Sequence, residues 1–197
     1  RDCLLGRMSL DRLRKNGAAI QHYQARRNYG FGRAQNIGLE IARGRHFVVL
    51  NNDVVFTGPG VLETMAATLK DGVELVGAAS APSELTAEGV GCYGPNTEYI
   101  EGSCLMGRTA FLREFGLFDR AYRFAYCEDV DLSLRVRAAG HKIARIYLPI
   151  HHERGGTVSV AGPQLKKRLE AAHRRNHELL RMRWAYYLKH KSFERKP

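Results

Sequence analysis

Five short apolar or β-branched runs alternate with segments of helical periodicity along this 197-residue chain. The runs lie near residues 18–25, 45–51, 73–79, 98–107 and 142–148. The helical patterns lie near residues 9–16, 33–43, 59–70, 108–116, 129–139 and 163–190. Because strands interleaved with helices pack as one sheet covered by helices, the alternation predicts an α/β domain with a mixed, mainly parallel sheet.

The composition fits a single globular domain with a sizeable core. The chain is 44% hydrophobic and 26% charged, and it contains neither an apolar run of about 18 residues nor the pattern of a signal peptide. Its four cysteines show no CxxC spacing, which argues against a zinc site or a disulfide framework and favours a reducing compartment. We therefore expect a cytoplasmic protein.

The last 34 residues carry most of the positive charge. Residues 164–197 contain eleven Lys or Arg and three Glu, so they contribute +8 of the net charge of +11. Leucines and other apolar residues recur there at helical spacing, which predicts a long basic amphipathic helix. Its apolar stripe either packs on the domain, or its basic face contacts an anionic membrane surface or a lipid-phosphate acceptor. A nucleic-acid partner is not expected, because no nucleic-acid-binding motif accompanies the charge.

The run "VVLNNDVVF" ends an apolar strand with Asn51, Asn52 and Asp53. A tight turn alone explains such residues in many loops. Ligands of α/β sheets, however, bind at the carboxyl ends of the strands, where this turn falls. Asp53 offers a hard oxygen ligand for Mg²⁺ or Mn²⁺, and a nucleotide diphosphate would complete the coordination. The sequence thus leaves a turn and a donor site as alternatives here.

Three further clusters combine groups of the same kind. "RRNYGFGRAQNIG" surrounds its glycines with Asn28, Arg33 and Asn36, and is either a capped loop or an anion-binding helix start. In "YCEDVDLSLRVR", Glu128, Asp129 and Asp131 fall in the first turn of a predicted helix. They either interact with the helix dipole, or their mutual repulsion raises the pKa of one carboxylate enough to make it a general base. "HHERGGT" begins with His151 and His152, either of which could bind a cation or a phosphate.

Taken in chain order, from "RRNYGFGRAQNIG" through "VVLNNDVVF", "GSCLMGRTAFLREFGLFDRAY" and "YCEDVDLSLRVR" to "HHERGGT", the motifs resemble the family 2 glycosyltransferases. These are inverting enzymes of the GT-A fold, which is Rossmann-like, and the likeness is closest to their rhamnosyltransferase-like branch. The resemblance runs from about residue 10 to residue 157. It implies transfer of a hexose or deoxyhexose from a UDP- or dTDP-sugar to a glycan or lipid-linked acceptor in surface polysaccharide biosynthesis.

The resemblance also implies roles for individual residues. Asp53 matches the aspartate that holds the cation, Mg²⁺ or Mn²⁺, between the two donor phosphates, and His152, with His151 as rival, matches a late histidine near it. Asp129 matches the catalytic base, and Glu128 an acceptor-orienting neighbour. The donor-binding matches are Asn28, Gly30, Arg33, Asn36, Asn51, Asn52 and Gly102, with Ser103 beside the last.

The chain departs from the family pattern at its beginning. Members open with a strand, a helix and a second strand that ends in an acidic turn, and neither the first strand nor that turn is seen here. We therefore expect a fragment, with residues 1–160 as an N-terminally incomplete catalytic domain and residues 161–197 as the basic helix. Its expected location is the cytoplasm, either free or at the inner face of the membrane. The alternative is a catalytically inactive nucleotide- or glycan-binding module of a larger protein.

Overall fold

The computed structural model describes residue 15 and residues 19–78, 84–86, 89–91, 98–153 and 161–193. The described helices are α1 (Phe31–Ile41), α2 (Val61–Thr68), α3 (Thr109–Phe115), α4 (Glu128–Ala138), α5 (Pro163–Arg183) and α6 (Ala185–His190). The described strands are β1 (His46–Leu50), β2 (Val54–Phe56), β3 (Val73–Ala78), β4 (Glu84–Thr86), β5 (Gly89–Gly91), β6 (Cys104–Arg108), β7 (Lys142–Ile146) and β8 (Ile150–His152).

Four of these strands form the central sheet, in the order β1-β6-β3-β7. Strand β6 runs antiparallel to both of its neighbours, and β3 pairs with β7 in parallel. Two ribbons, β2 with β8 and β4 with β5, lie beside it. The predicted α/β class with a mixed sheet flanked by helices is confirmed; among the described central strands, parallel pairing is confined to β3 and β7.

Each face of the sheet has its own hydrophobic core, because side chains alternate along a strand. Val49, Leu75 and Leu105 pack with residues of α1, α3 and α4 on one face. Val76 and Met106, one position further along their strands, pack with α2 on the other face. Helices therefore cover both faces, and the carboxyl end of β1 is left at the edge of this sandwich.

Several elements of the structure differ in type or in bounds from those that the periodicity predicted. Residues 19–25 form no strand and are mostly exposed, since their apolar spacing finds no partner strand within the described part of the chain. The run 98–107 is a strand only from Cys104 onward, because a turn at 101–103 precedes it. The predicted loop 80–96 contains the β4–β5 ribbon. The predicted helix near 9–16 lies almost entirely outside the described residues.

The basic C-terminal segment packs against α4 through its apolar stripe. Leu169, Ala172, Asn176 and Leu180 are its buried residues in α5, and Leu180 joins Val130 and Leu134 in a third core cluster. The predicted single helix is interrupted at Trp184, where α5 ends and α6 begins. Among the described helices, none is both long and apolar enough to cross a bilayer.

Candidate active site

A cavity of about 590 Å³ opens at the carboxyl end of β1 and brings most of the predicted site residues together. Segments that are far apart in the sequence line it, among them the loop before α1, the turn after β1, the turn before β6, the start of α4 and the end of β8. The predicted residues in its wall are Asn28, Gly30, Asn51, Asn52, Asp53, Gly102, Ser103, Glu128, Asp129 and His152.

The turn at 51–53 is fixed on both sides. The Asn51 N–H donates to the Ser103 carbonyl oxygen at 2.9 Å, and the Val54 N–H donates back to the Asn51 carbonyl oxygen at 3.3 Å. Beyond the turn, β2 pairs with β8 so that Val54 lies opposite His152. The Glu153 N–H then donates to the Asp53 carbonyl oxygen at 2.9 Å. This pairing brings Asp53 beside a histidine 99 positions later in the chain.

Asp53 and His152 form a pair that fits a divalent cation. Asp53 Oδ1 lies 3.2 Å from His152 Nε2, yet it has no hydrogen-bond partner among the described residues although it is buried. Two ligands at right angles around an octahedral cation, with bonds of about 2.1 Å, lie about 3.0 Å apart. The separation and the unsatisfied carboxylate oxygen therefore both suit Mg²⁺ or Mn²⁺. The described residues contain no group of three or more His, Cys, Asp or Glu side chains suited to a metal, so the remaining ligands would come from phosphate and water.

The acid pair begins α4 at the opposite wall. Asp129 is partly buried; its Oδ2 accepts the Gly102 N–H at 2.9 Å and its Oδ1 accepts the Val130 N–H at 2.8 Å. Burial raises the pKa of Asp129, and these two N–H groups oppose that rise. Burial, and then the charge of Asp129, raise the pKa of Glu128 as well. The pair is thus poised to hold or accept a proton at the cavity.

Asp131, the third predicted carboxylate, has a structural role. It is fully buried and accepts hydrogen bonds from Tyr122 Oη at 3.1 Å and from Arg135 Nε at 2.9 Å. Arg183 Nη1 and Trp184 Nε1 of the C-terminal segment also donate to it, each at 3.0 Å. Two residues along a helix turn the side chain by about 200°, so Asp131 holds α5 while Asp129 lines the cavity.

Three predicted site residues do not reach the cavity. Arg33 is exposed and lies over the Tyr29 ring at 4.5 Å. The Asn36 amide is used by the Phe118 backbone, with hydrogen bonds of 2.8 and 3.0 Å. His151 is exposed, because neighbours in a strand point to opposite faces and His152 occupies the inner one. The motif residues 154–157 lie outside the described part of the chain.

Gly30 joins the loop before α1 to the segment before α4. Its φ of +86° suits glycine, and a Cβ there would lie 2.3 Å from the Phe124 carbonyl oxygen. That oxygen accepts the Phe31 N–H at 2.7 Å. Asn28 Oδ1 in turn accepts the Gly30 N–H at 2.8 Å. The predicted loop is therefore part of the cavity through its backbone.

The opposite side of the cavity contains residues that the sequence did not single out. They come from the segment before β6, the segment before α4 and helix α5, and include Tyr99, Phe124, Tyr126, Leu165, Leu169 and His177. Tyr126 has a sequence signal, since it is two residues before Glu128. The α5 residues have none, because their periodicity indicates only a packed helix.

One family model matches the sequence, and no curated protein does. The model of glycosyl transferase family 2 matches residues 9–86. That segment includes Asn28, Gly30 and the Asn51–Asp53 turn, and it ends before the acid pair of α4. It covers less than half of the chain.

Solved glycosyltransferases are similar to the chain in fold. GalNAc-T7, solved with UDP, GalNAc and Mn²⁺, aligns with a TM-score of 0.55 and 15% identity over 82% of this chain and 38% of that protein. A mannosyltransferase from Pyrobaculum calidifontis, solved with GDP-Man and Mn²⁺, aligns with a TM-score of 0.47 and 14% identity over 66% of this chain and 37% of that protein. The catalytic domain of Drosophila beta1,4galactosyltransferase 7, solved with xylobiose, aligns with a TM-score of 0.49 and 18% identity over 78% of this chain and 67% of that domain.

The chain spans less than two fifths of the length of the first two of these proteins. Sequence identities of this size indicate a similar fold and do not indicate a shared substrate. The described chain has the fold of the GT-A glycosyltransferases, and the matched segment supports its relationship to glycosyl transferase family 2.

Proposed function

We propose that the chain is the catalytic part of a metal-dependent inverting glycosyltransferase. It transfers a hexose or deoxyhexose from a nucleotide-diphosphate sugar to a hydroxyl group of the acceptor. The observation that carries this proposal is the cavity itself, in which the Asp53–His152 pair and the partly buried Asp129 face one space. A cation-binding pair opposite a base is the arrangement that displacement of a diphosphate requires.

On the donor side, Asp53 and His152 would hold the divalent cation, and the amides of Asn51 and Asn52 would orient the diphosphate oxygens or the sugar hydroxyls. When bound there, Mg²⁺ or Mn²⁺ neutralises the charge that develops on the leaving diphosphate. Gly30 and Gly102 let the walls of the cavity approach one another closely, because a Cβ at Gly30 would meet the Phe124 carbonyl oxygen and a Cβ at Gly102 would meet the Phe31 ring.

On the acceptor side, Asp129 removes the proton from the attacking hydroxyl. The acceptor oxygen forms its bond to the anomeric carbon as the bond from that carbon to the diphosphate breaks, and the proton ends on the Asp129 carboxylate. The N–H groups of Gly102 and Val130 fix the carboxylate in place, so little reorganisation is needed during the step. Attack opposite the leaving group inverts the anomeric centre without a covalent enzyme intermediate.

The substrates follow from the same proposal. The donor is a UDP- or dTDP-sugar, in line with the UDP and Mn²⁺ in the structure of GalNAc-T7. The acceptor is a glycan or a lipid-linked glycan, as in the rhamnosyltransferase-like enzymes of surface polysaccharide biosynthesis, and the reaction takes place in the cytoplasm.

Titration with UDP, dTDP and GDP, each with and without Mn²⁺, tests the donor half of the proposal. We expect Mn²⁺ to increase the affinity for UDP or dTDP at least tenfold, since one carboxylate and one imidazole bind a phosphate-bound cation better than a free one. Incubation with the matching sugar nucleotides and a panel of glycan acceptors then tests transfer. Mn²⁺-dependent nucleotide binding without any turnover would instead favour the inactive binding module, and absence of binding would contradict both.

We also propose peripheral contact with anionic membranes through the exposed face of α5. That face carries Lys166, Lys167, Arg174 and Arg181, and Met182 beside them is 66% exposed. Basic side chains near an anionic surface contribute about 1 kcal/mol each. Replacing the four cations by glutamine should therefore lower cosedimentation with vesicles that contain phosphatidylserine at least tenfold. Equal binding of both proteins, or equal binding to pure phosphatidylcholine vesicles, would contradict this contact.

A further inference from the structure

The segment that leads into the acid pair has an unfavourable backbone. Within residues 119–127, which we call the pre-helix loop, Phe124, Tyr126 and Cys127 have φ values of 76°, 77° and 70°. Residues with side chains rarely adopt positive φ, and such conformations persist only when the surroundings impose them. The residue that ends this loop, Cys127, is the N-cap of α4, so the loop determines where Glu128 and Asp129 lie.

One side chain of α5 contacts four backbone groups of the loop. Asn176 is fully buried, and its amide nitrogen lies within hydrogen-bond distance of the carbonyl oxygens of Arg123, Ala125 and Tyr126, at 3.0, 2.7 and 3.2 Å. Its Oδ1 accepts the Arg123 N–H at 3.4 Å. An asparagine amide has two donor hydrogens and one acceptor oxygen, and here both ends of the amide contact the loop, at the backbone of Arg123, Ala125 and Tyr126.

Other residues of α5 contact the same loop. The Arg168 guanidinium lies 3.9 Å from the centre of the Phe124 ring, and Arg175 Nη1 donates to the Ala121 carbonyl oxygen at 3.1 Å. The His173 ring packs edge-on against Tyr126 at 5.3 Å. Helix α5 therefore holds the loop along most of its length.

The loop in turn contacts both halves of the site. The Phe124 carbonyl oxygen accepts the Phe31 N–H on the donor side. At the other end, the Cys127 carbonyl oxygen accepts the Asp131 N–H at 2.9 Å and starts the first turn of α4. A shift of the loop would move Asp129 away from the Gly102 N–H, while the Asp53–His152 pair stands on other elements.

We propose that Asn176 is a positioning residue: through the pre-helix loop it sets the location of Asp129, so that the basic C-terminal helix is part of the catalytic machinery. The expected effect on turnover rests on the proposed transferase activity. The expected effect on the position of the loop rests on the loop contacts alone. The positioning role is additional to any contact of the exposed face of α5 with a membrane.

The test compares Asn176→Ala with the wild-type 197-residue protein. Turnover is divided by the number of sites titrated with UDP and Mn²⁺, so that loss of folded protein does not count. We expect turnover per site to fall about 100-fold, the effect of a misplacement of about 1 Å, while the UDP affinity stays near the wild-type value. We also expect faster hydrogen exchange in residues 121–130.

Two controls separate positioning from general destabilisation. Met65→Ala removes a buried side chain from the cluster under α2, which contains no residue of the loop or of α4, and should lower stability without lowering turnover per site. If Asn176→Ala fails to fold, Arg168→Ala offers a milder variant, because Arg168 is exposed. It should show the same effects to a smaller degree, and Lys189→Ala, which removes an exposed cation of α6, should show none.

The outcomes distinguish this inference from the proposed function. If Asn176→Ala shows the turnover per site of the wild-type protein and the same hydrogen exchange at residues 121–130, the positioning role is overturned. No transfer by the wild-type protein would contradict the proposed function, and the exchange experiment would still decide whether Asn176 holds the loop.

Discussion

Asp129→Asn is expected to lower sugar transfer by about 10²- to 10⁴-fold, the usual contribution of a general base. The amide has no basic oxygen at neutral pH and cannot take the acceptor proton. Binding of UDP with Mn²⁺ should stay close to wild type, because Asp53 and His152 are untouched. Initial rates with saturating donor, combined with calorimetric titration of UDP, measure both quantities.

Asp71→Asn is the matched control for this variant. It makes the same chemical change in a turn outside the cavity, at a φ of 53° that asparagine tolerates, and should leave transfer and stability near wild type. Asp129→Asn also costs one of the two hydrogen bonds from Gly102 and Val130, so its thermal midpoint must be compared too. Wild-type turnover by Asp129→Asn would remove Asp129 as the base and leave Glu128 as the nearest carboxylate.

Asp53→Ala is expected to abolish the effect of Mn²⁺ on donor binding and to lower transfer by about 100-fold or more. Stabilisation of the leaving diphosphate by a cation is worth several kcal/mol, and each 1.36 kcal/mol of barrier is about tenfold in rate. The loss should appear in titrations of UDP with and without Mn²⁺ and in initial rates over a range of Mn²⁺ concentrations.

The neighbouring histidines provide a matched pair of variants for the same site. His152→Ala should weaken the Mn²⁺ effect as Asp53→Ala does, since Nε2 lies 3.2 Å from the Asp53 carboxylate. His151→Ala removes an identical side chain from the exposed face of the same strand and should leave the Mn²⁺ effect intact. A Mn²⁺ effect that survives in Asp53→Ala would exclude this pair as the cation site.

Polar residues at the ends of apolar runs were the most predictive part of the sequence. The Asn51–Asp53 turn was expected at the ligand edge of the sheet, and it lines the cavity together with the acid pair of α4. The position of this turn was predictable because local periodicity indicates where a strand ends. The mixed α/β class followed from the same alternation.

Helix orientation and strand register could not be read in the same way. Asn36 and Gly30 belong to one motif, but only the packing of α1 against Phe118 shows that the Asn36 side chain faces away from the cavity. The choice between His151 and His152 depends on the pairing of β8 with β2. Asn176 had no local signal, since a buried asparagine in an amphipathic helix is recognised only once its partners in the loop are known.

The β2–β8 ribbon gives the cation pair a place late in the assembly of the chain. Asp53 and His152 are 99 positions apart, and contacts of such long separation form late because loop closure must precede them. During synthesis, Asp53 is made long before its histidine, and the pair exists only when β8 has joined β2. If the pair holds a cation and a nucleotide as proposed, these ligands bind the completed fold and not its precursors, and they then stabilise the last step of folding by mass action.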